Sequence, residues 1–325
     1  MCPATASQLA RLAFEMTRRH LIASAASPLL AAVVPPLESE AKIDEVCTVP
    51  SYCEGIVFDR AGDAYISHGR FISRVARDGK PVTWAETGAP NGHKVLPDGT
   101  HIVCDASQHA VLHLDATGKV IGKAASACDG KPLRGPNDCT LDPKGGFYFT
   151  DPGGGSTVDK PIGTVHHVSP TGEVRLCASD FPMPNGIVLR PGGSQLLFGD
   201  SLRNTVYVCD VAGPGRVSAP REFARLPQKG EGQINNLPDG MCLDEAGNLY
   251  VAHWGMRQVQ VVDRRGMVIR RYPGGNLTTS NVAFGGPARD TLYITGALME
   301  EGKSPGGLFR IRLAGVRGVQ LLKNR

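Results

Sequence analysis

The sequence predicts an all-β fold, a six-bladed β-propeller whose ring is closed by pairing of the N-terminal and C-terminal strands. The first observation is a motif that occurs six times, in which an acidic or amide residue opens one short strand and a second strand returns after a turn. These opening residues are Glu54, Asn91, Asn137, Asn185, Asp239 and Asn281. In five of the copies a glycine stands eight residues after the opening residue, which places it in the turn.

The spacing of the opening residues is the second observation. Successive opening residues lie 37, 46, 48, 54 and 42 residues apart, the range expected of propeller blades of four strands each. Because each repeat turns the chain about one axis, equivalent residues of the blades face the same central channel. We therefore expect the opening residues to form a ring of oxygen donors.

The two ends of the chain supply the third observation. Residues 41–49 alternate loosely between apolar and polar side chains, as expected of an outer strand. Residues 306–312 and 316–322 also have the pattern of strands. The sixth blade is therefore predicted to contain strands from both chain ends, which removes an exposed sheet edge.

Two connections are longer than the hairpins between strands. Residues 152–157 follow the third strand pair, and residues 228–237 precede the fifth opening residue. Both are predicted at the end of the channel where the opening residues lie, and loops in that position can cover a pocket. The alternative is that they are ordinary surface loops.

Composition favours a single folded domain over residues 37–325. Of the 325 residues 41% are hydrophobic, and the 40 glycines and 24 prolines lie at turns between apolar segments, as in a protein of sheets and turns. The formal net charge is only +4, and the basic pairs at 264–265 and 270–271 have no interleaved aromatic residues. The sequence therefore predicts no nucleic-acid partner. It does not indicate an oligomeric state.

Residues 1–36 have the features of an export signal. Arg18 and Arg19 precede a modest apolar stretch that contains Pro28 and many alanines, which is the pattern of a twin-arginine signal. Met16 is a candidate for the true start. We expect an exported, periplasmic protein with no membrane span in its mature form. The alternative is an unremarkable amphipathic N-terminal helix on a cytoplasmic protein.

The nine cysteines do not have the spacing of a zinc site. Two of them, Cys47 and Cys53, lie close together and can form a disulfide in an oxidising compartment. Five others lie in apolar strand segments, where a thiol packs as a small hydrophobe: Cys104, Cys139, Cys177, Cys209 and Cys242.

The chemistry of the opening residues suggests a metal site. Glu54 and Asp239 carry negative charge and the other four are asparagines, so the ring has the charge that one divalent cation balances. Because all donors are hard oxygens, the set favours calcium, with zinc, magnesium and manganese as alternatives. A different interpretation is that the Asn-Gly and Asp-Gly pairs only form turns. That interpretation does not explain Glu54, since glutamate has no special preference for turns.

The motifs EG, PND, PNG and PDG follow one another at the first, third, fourth and fifth opening residues. Together with the segments GPNDCTLDPKGGFYFTDP and PDGMCLDEAGNLYVAHWG, they resemble the family of senescence marker protein (regucalcin), gluconolactonase and luciferin-regenerating enzyme, which are six-bladed propellers. The resemblance runs from about Glu54 to Leu322, and the bacterial gluconolactonases are the most similar branch. It implies that one divalent metal is bound by the matching residues, Glu54, Asn137, Asn185 and Asp239.

The resemblance further implies a lactonase that hydrolyses a sugar-type lactone such as an aldonolactone or gluconolactone. A bound metal would polarise the lactone carbonyl, and Asp239 would activate the attacking water. Asp200 is expected to be structural or to bind a second ion. Two alternatives stay open: a calcium-dependent phosphotriesterase of the diisopropyl fluorophosphatase kind, and a non-enzymatic calcium-binding propeller. The residues expected to contact substrate at the channel mouth are Asn91, His93, Asn137 and His253.

Overall fold

The computed structural model describes residues 35–300 and 304–319, and strands make up almost all of its regular structure. They form six antiparallel sheets of four or five strands. The inner strands of these sheets contact one another in order, and the last contacts the first. The predicted six-bladed propeller is therefore confirmed. Apart from Pro35 and Pro36, the predicted export signal and Met16 lie outside the described residues and stay predictions.

The first strand of the chain, β1 (Ile43–Val49), belongs to the last blade. Blade 1 contains β2 (Cys53–Phe58), β3 (Ala64–His68), β4 (Phe71–Val75) and β5 (Pro81–Glu86). Blade 2 contains β6 (Pro90–Val95), β7 (His101–Asp105), β8 (Ala110–Leu114) and β9 (Val120–Ala125). A small hairpin follows, made of β10 (Ala127–Cys128) and β11 (Lys131–Pro132). Blade 3 contains β12 (Cys139–Leu141), β13 (Phe147–Asp151), β14 (Gly163–Val168) and β15 (Val174–Phe181).

Blade 4 contains β16 (Pro184–Leu189), β17 (Gln195–Asp200), β18 (Thr205–Gly213), β19 (Arg216–Val217) and β20 (Arg221–Arg225). Blade 5 contains β21 (Leu237–Leu243), β22 (Leu249–Trp254), β23 (Gln258–Val262) and β24 (Val268–Pro273). Blade 6 contains β25 (Thr278–Gly285), β26 (Thr291–Ala297) and β27 (Gly306–Arg312), with β1 as its fourth strand. Two short 3-10 helices cover Glu38–Glu40 and Ser201–Arg203. Among the described residues, no helix has the length and apolar character needed to cross a membrane.

The ring closes as predicted, because β1 pairs antiparallel with β27 from the Ile43–Ile311 pair to the Val49–Gly306 pair. The predicted strand over residues 316–322 is wrong in its described part, where Gly318 forms only one isolated bridge, to Asp244 in blade 5. The reason is that β1 already takes the fourth position of the sixth sheet. Residues 316–319 pass beside blade 5 instead, where the N–H of Val319 donates to the carbonyl oxygen of Leu243.

Six hydrophobic clusters hold the blades together, and each of them lies between two neighbouring blades. Between blades 1 and 2, for example, Tyr65 and Ile72 pack with Val103 and Leu112. The cluster between blades 6 and 1 joins Leu308 of β27 to Ile66 of β3. Apolar burial of this kind drives folding. Here it also holds each blade at a fixed angle to the next.

Five of the six opening residues lie within the inner strands, and Asn137 lies two residues before β12. The Asn-Gly and Asp-Gly pairs belong to strands and not to turns, so the interpretation of these pairs as turn formers is wrong. Shifts in strand register mark β-bulges at these positions. The shifts lie between Glu54 and Val57, Pro90 and His93, Pro184 and Ile187, and Pro238 and Met241.

The glycines that follow these opening residues allow close contact between neighbouring blades. A Cβ atom added at Gly186 would lie 2.1 Å from the carbonyl oxygen of Asp239, and one at Gly55 would lie 1.9 Å from that of Asn91. Neither distance is compatible with a side chain. The motif glycines are therefore required where one inner strand packs against the next.

The eight cysteines from Cys47 onward are free thiols. The disulfide considered between Cys47 and Cys53 is therefore not formed. The two residues belong to strands of different blades, and the Cys53 thiol lies 3.5 Å from the carbonyl oxygens of Gly296 and Gly307. Burial raises the pKa of the Cys53 thiol to about 12, which keeps it protonated and unreactive.

Candidate metal centre

The six inner strands bring the opening residues to one end of the channel. Glu54, Asn185, Asp239 and Asn281 are buried, whereas Asn91 and Asn137 are half-buried. The loops at residues 152–157 and 228–237 lie at this same end, since β13 ends and β21 begins there. Whether these loops cover a pocket stays a prediction.

Glu54 is held by two side chains, one from Tyr52, two residues earlier in the chain, and one from the opening residue Asn281. The Tyr52 hydroxyl donates a hydrogen bond to Oε1 of Glu54, and the Asn281 side chain also bonds to this carboxylate. The second oxygen, Oε2, is buried without a hydrogen-bond partner. Burial, together with the nearby charge of Asp138, raises the pKa of Glu54 to about 7, although the Tyr52 hydrogen bond acts in the opposite direction.

Asp239 lies in the bulge at the start of β21 and is buried next to Glu54. Its carboxylate accepts a hydrogen bond from the Asn185 side chain. Burial, followed by the charges of Glu54 and Asp138, raises the pKa of Asp239 well above its usual range. Neighbouring buried carboxylates avoid their mutual repulsion only by taking up a proton or by binding a cation.

Asn137 has a fixed backbone and a free amide oxygen. Its N–H donates to the carbonyl oxygen of Thr150 at 2.9 Å, and its own carbonyl accepts from the N–H of Gly92 at 2.7 Å. The side-chain atom Oδ1 is buried and has no hydrogen-bond partner. A buried amide oxygen without a donor is costly unless something else satisfies it.

These observations test whether a hard divalent cation fits the site. The unpartnered oxygens Glu54 Oε2 and Asn137 Oδ1, with two buried carboxylates, are the donors that such an ion uses. Within the described ranges, no group of three or more His, Cys, Asp or Glu side chains is arranged to hold a metal. The four opening residues proposed as ligands are two carboxylates and two amides. The residues present fit an oxygen-coordinated cation.

Two buried charged residues next to the site were missed by the sequence analysis. Asp138 follows Asn137, and its carboxylate oxygen Oδ1 lies 3.7 Å from the ammonium nitrogen of Lys94 on β6. The only sequence signal was the aspartate of the PND motif, which stands where the first, second, fourth and fifth motifs have glycine. Lys94 had no signal, because its partner belongs to another blade.

The residues predicted to contact substrate fall into two groups. Asn91 and Asn137 keep some exposed surface at the channel end. His93 is fully buried, with Nε2 2.7 Å from Nδ1 of His101, and it packs against the Trp84 ring. His253 is also fully buried, and its Nε2 lies 2.9 Å from Oδ1 of Asn204. Neither histidine presents surface to a substrate in this structure.

Asp200 belongs to a set of aspartates that end the second strand of blades 2, 3 and 4. Each accepts hydrogen bonds from backbone N–H groups that precede the opening residue of its blade. Asp105 binds the N–H groups of Gly88 and Ala89, Asp151 binds those of Arg134 and Gly135, and Asp200 binds that of Met183. These contacts support the structural role that was expected for Asp200.

A cavity of about 590 Å³ lies at the opposite ends of the inner strands. Each blade contributes apolar residues to its wall, namely Val57, Val95, Leu141, Leu189, Leu243 and Phe284. Lys94 also lines this cavity. It contains neither Glu54 nor Asp239, so it is separate from the candidate metal centre.

Comparison with known proteins identifies the family. The chain belongs to the SMP-30/gluconolactonase/LRE-like family, whose model matches residues 53–298. The resemblance found in the motifs is thereby confirmed.

Individual relatives differ in activity. The diisopropyl-fluorophosphatase of Loligo vulgaris is 26% identical over 238 residues, which are 64% of this chain and 74% of that protein. The gluconolactonase of Zymomonas mobilis is 30% identical over 218 residues, which are 63% of this chain and 60% of that protein. A solved gluconolactonase structure from Xanthomonas campestris has the same fold, with a TM-score of 0.72 and 24% identity over 85% of this chain and 91% of the other.

Proposed function

We propose that this chain is a calcium-dependent lactonase that hydrolyses a sugar-type lactone such as an aldonolactone. The broader class, a hydrolase of cyclic esters, follows from the family and from relatives named as lactonases. The observation that carries the proposal is the buried pair Glu54 and Asp239, beside the unpartnered oxygens of Glu54 and Asn137. Such a pair is suited to neutralisation by a divalent cation.

Four side chains are proposed to hold the cation: Glu54, Asn137, Asn185 and Asp239. Calcium is preferred because all four provide hard oxygens from different blades, and calcium accepts the irregular geometry that such a set produces. A bound cation supplies a Lewis acid that polarises the lactone carbonyl and stabilises negative charge on its oxygen. Tyr52 and Asn281 orient Glu54 through the hydrogen bonds described above.

Asp239 is proposed as the general base. Its carboxylate accepts a proton from the attacking water while the water oxygen forms a bond to the carbonyl carbon. The ring C–O bond then breaks, and the departing alkoxide takes up the proton held by Asp239, which gives the hydroxy acid and returns Asp239 to its ionised form. The Asn185 amide keeps the carboxylate in one orientation through its hydrogen bond. Asn91 and Asn137 are retained as substrate contacts, whereas His93 and His253 are assigned to packing.

A phosphotriesterase of the diisopropyl fluorophosphatase kind is the second candidate, because the relative with that activity aligns with 64% of this chain. The same four oxygen donors serve either reaction. Only the substrate assay separates these two functions.

The test is hydrolysis of a panel of aldonolactones and one organophosphate ester by purified protein, followed by proton release. We expect lactone turnover that a chelator abolishes and calcium restores, with zinc, magnesium and manganese added back in parallel. Asp239→Asn should retain the thermal transition and lose at least about a hundredfold in turnover, the usual contribution of a general base. Turnover of the ester alone would establish the second candidate. Calcium binding without any turnover would identify a non-enzymatic propeller.

A further inference from the structure

Lys94 and Asp138 form a buried ion pair beside the candidate metal centre. The ammonium group of Lys94 reaches from blade 2 to the Asp138 carboxylate of blade 3, with 3.7 Å between Nζ and Oδ1. Only 15% of the Lys94 side chain and 3% of the Asp138 side chain are exposed. Lys94 Nζ also donates a hydrogen bond to the carbonyl oxygen of His93 at 3.0 Å.

The fold makes room for Asp138 at this position. A Cβ atom added at Gly92 would lie 2.3 Å from Oδ1 of Asp138, so the carboxylate occupies space that only a glycine leaves open. Oδ1 is further fixed by the N–H of Cys139 at 2.8 Å. The carboxylate is therefore held in one place next to the ring of opening residues.

Asp138 stands beside the proposed ligands. It directly follows Asn137 in the chain, and its carboxylate lies against Gly92, the neighbour of the opening residue Asn91. Three acidic groups therefore share the channel, and Lys94 provides one positive charge among them. When all are ionised, the four groups have a net charge of −2 (three carboxylates and one ammonium), which equals the charge that one calcium ion neutralises.

We propose that the Lys94–Asp138 ion pair is a charge-setting unit of the metal centre. Lys94 cancels the charge of Asp138, so the net charge of the site keeps the value that a divalent cation balances, and neither residue is a ligand of the cation. The inference rests on the proposed function, because it assumes that a cation binds at the opening residues. Asp138 attracts the cation and Lys94 offsets that attraction. Removing one partner therefore changes the charge of the site, and removing both restores it.

The experiment is a double-mutant cycle of calcium affinity, measured by calorimetry at pH 8.5 on wild-type protein, Lys94→Met, Asp138→Asn and the double variant. Since a full charge is gained or lost near the site, we expect Lys94→Met to bind calcium about tenfold more tightly and Asp138→Asn about tenfold more weakly. The double variant should return to within about threefold of wild type. Lys123→Met, an exposed lysine on β9, makes the same chemical change outside the channel and should leave the affinity unchanged.

A second measurement uses the charge of the ion. Terbium(III) luminescence should show that Lys94→Met gains more affinity for the trivalent ion than for calcium, because the site then has an additional negative charge. Lys94→Gln replaces Lys94→Met if the latter does not show a cooperative thermal transition.

The outcomes separate the two proposals. If wild-type protein binds calcium but both single variants weaken binding, or the double variant is the weakest, the ion pair is structural and the inference fails while the proposed function stands. If wild-type protein binds no calcium, both fail. Loss of lactone turnover with an intact affinity cycle would overturn the lactonase and leave the charge-setting role in place.

Discussion

At the scale of single residues, Glu54 and Asp239 show how burial alters acidic groups. Each lies in an inner strand where most of its surface is covered, and in each the ionised form is disfavoured. In the metal-free protein these carboxylates oppose folding at neutral pH. A ligand set of this kind therefore reduces stability until its cation binds.

Glu54→Gln tests whether the ionised Glu54 carboxylate opposes folding when no cation is bound. Because the pKa of Glu54 is raised from its ordinary value to about 7, the unfolded state ionises first, and the wild-type protein loses stability as the pH rises from about 4.5 to 7. Glutamine keeps the hydrogen bond from Tyr52 but carries no charge. In chelator at pH 8 we expect the variant to be more stable than wild type by roughly 1–3 kcal/mol, with little difference at pH 4.5.

Urea unfolding with chelator or with calcium is the measurement. Calcium should stabilise wild-type protein much more than Glu54→Gln. Glu173→Gln, at an exposed position, serves as the control and should behave as wild type. A variant less stable than wild type at pH 8 in chelator would show that Glu54 ionisation does not oppose folding.

The sequence indicated four residues of the proposed metal centre because each belongs to a repeated motif. It could not predict Tyr52, Lys94 or Asp138 as part of the site, because their roles depend on contacts with partners that the repeat pattern does not specify. His93 is the converse case, a residue that the sequence assigned to the site and that packs elsewhere in the structure. Its position two residues after Asn91 suggested the channel mouth, yet its ring packs between blades with Trp84 and His101.

At the scale of elements, the contact between β16 and β21 shows what the motif glycines do. The backbone of Gly186 approaches the carbonyl oxygen of Asp239 so closely that no side chain fits. This contact keeps Asn185 beside Asp239, and it depends on both strands having a bulge at the same level.

Gly186→Ala should separate these two strands. A methyl group would lie 2.1 Å from a backbone atom that cannot move alone, so we expect a loss of roughly 1–3 kcal/mol in the free energy of unfolding and weaker calcium binding. Gly122→Ala on β9 is the matched control, since nothing lies within 4 Å of its added Cβ. Equal stability and calcium affinity for the two variants would mean that β16 and β21 adjust without cost.

The inner hairpins could be predicted from the sequence, but the bulges at the opening residues could not. Alternating apolar residues and a glycine at a fixed distance define a strand pair. A β-bulge has no comparable local signal, because the extra residue is recognised only by its partner strand. The sequence alone therefore does not distinguish a turn from a β-bulge at the Asn-Gly and Asp-Gly pairs.

At the scale of the whole molecule, β1 is the single strand that completes the ring. It covers β27 along seven residues of chain. Without it, β27 would present unpaired N–H and C=O groups to other molecules. Residues 316–319, the described part of the predicted strand at 316–322, form only an isolated bridge to blade 5 and provide no substitute.

Deletion of residues 1–50 should therefore open the sixth blade. We expect a lower melting temperature and concentration-dependent association, measured by thermal unfolding and by light scattering after gel filtration. A chain that starts at Pro35 is the control, because it keeps β1 together with the hydrogen bond that the Tyr272 hydroxyl of blade 5 donates to the carbonyl oxygen of Pro36. If the longer deletion is as stable and as dispersed as the control, closure by β1 is dispensable.

The contacts among the inner strands have a consequence for how this molecule can change. Three pairs of neighbouring blades meet near the axis through a glycine and a carbonyl oxygen, at Gly55, Gly92 and Gly186. The backbone atoms that set these three contacts do not depend on the side chains of the opening residues involved. At these junctions the propeller is a scaffold on which the oxygen donor can be substituted one blade at a time, by evolution or by design.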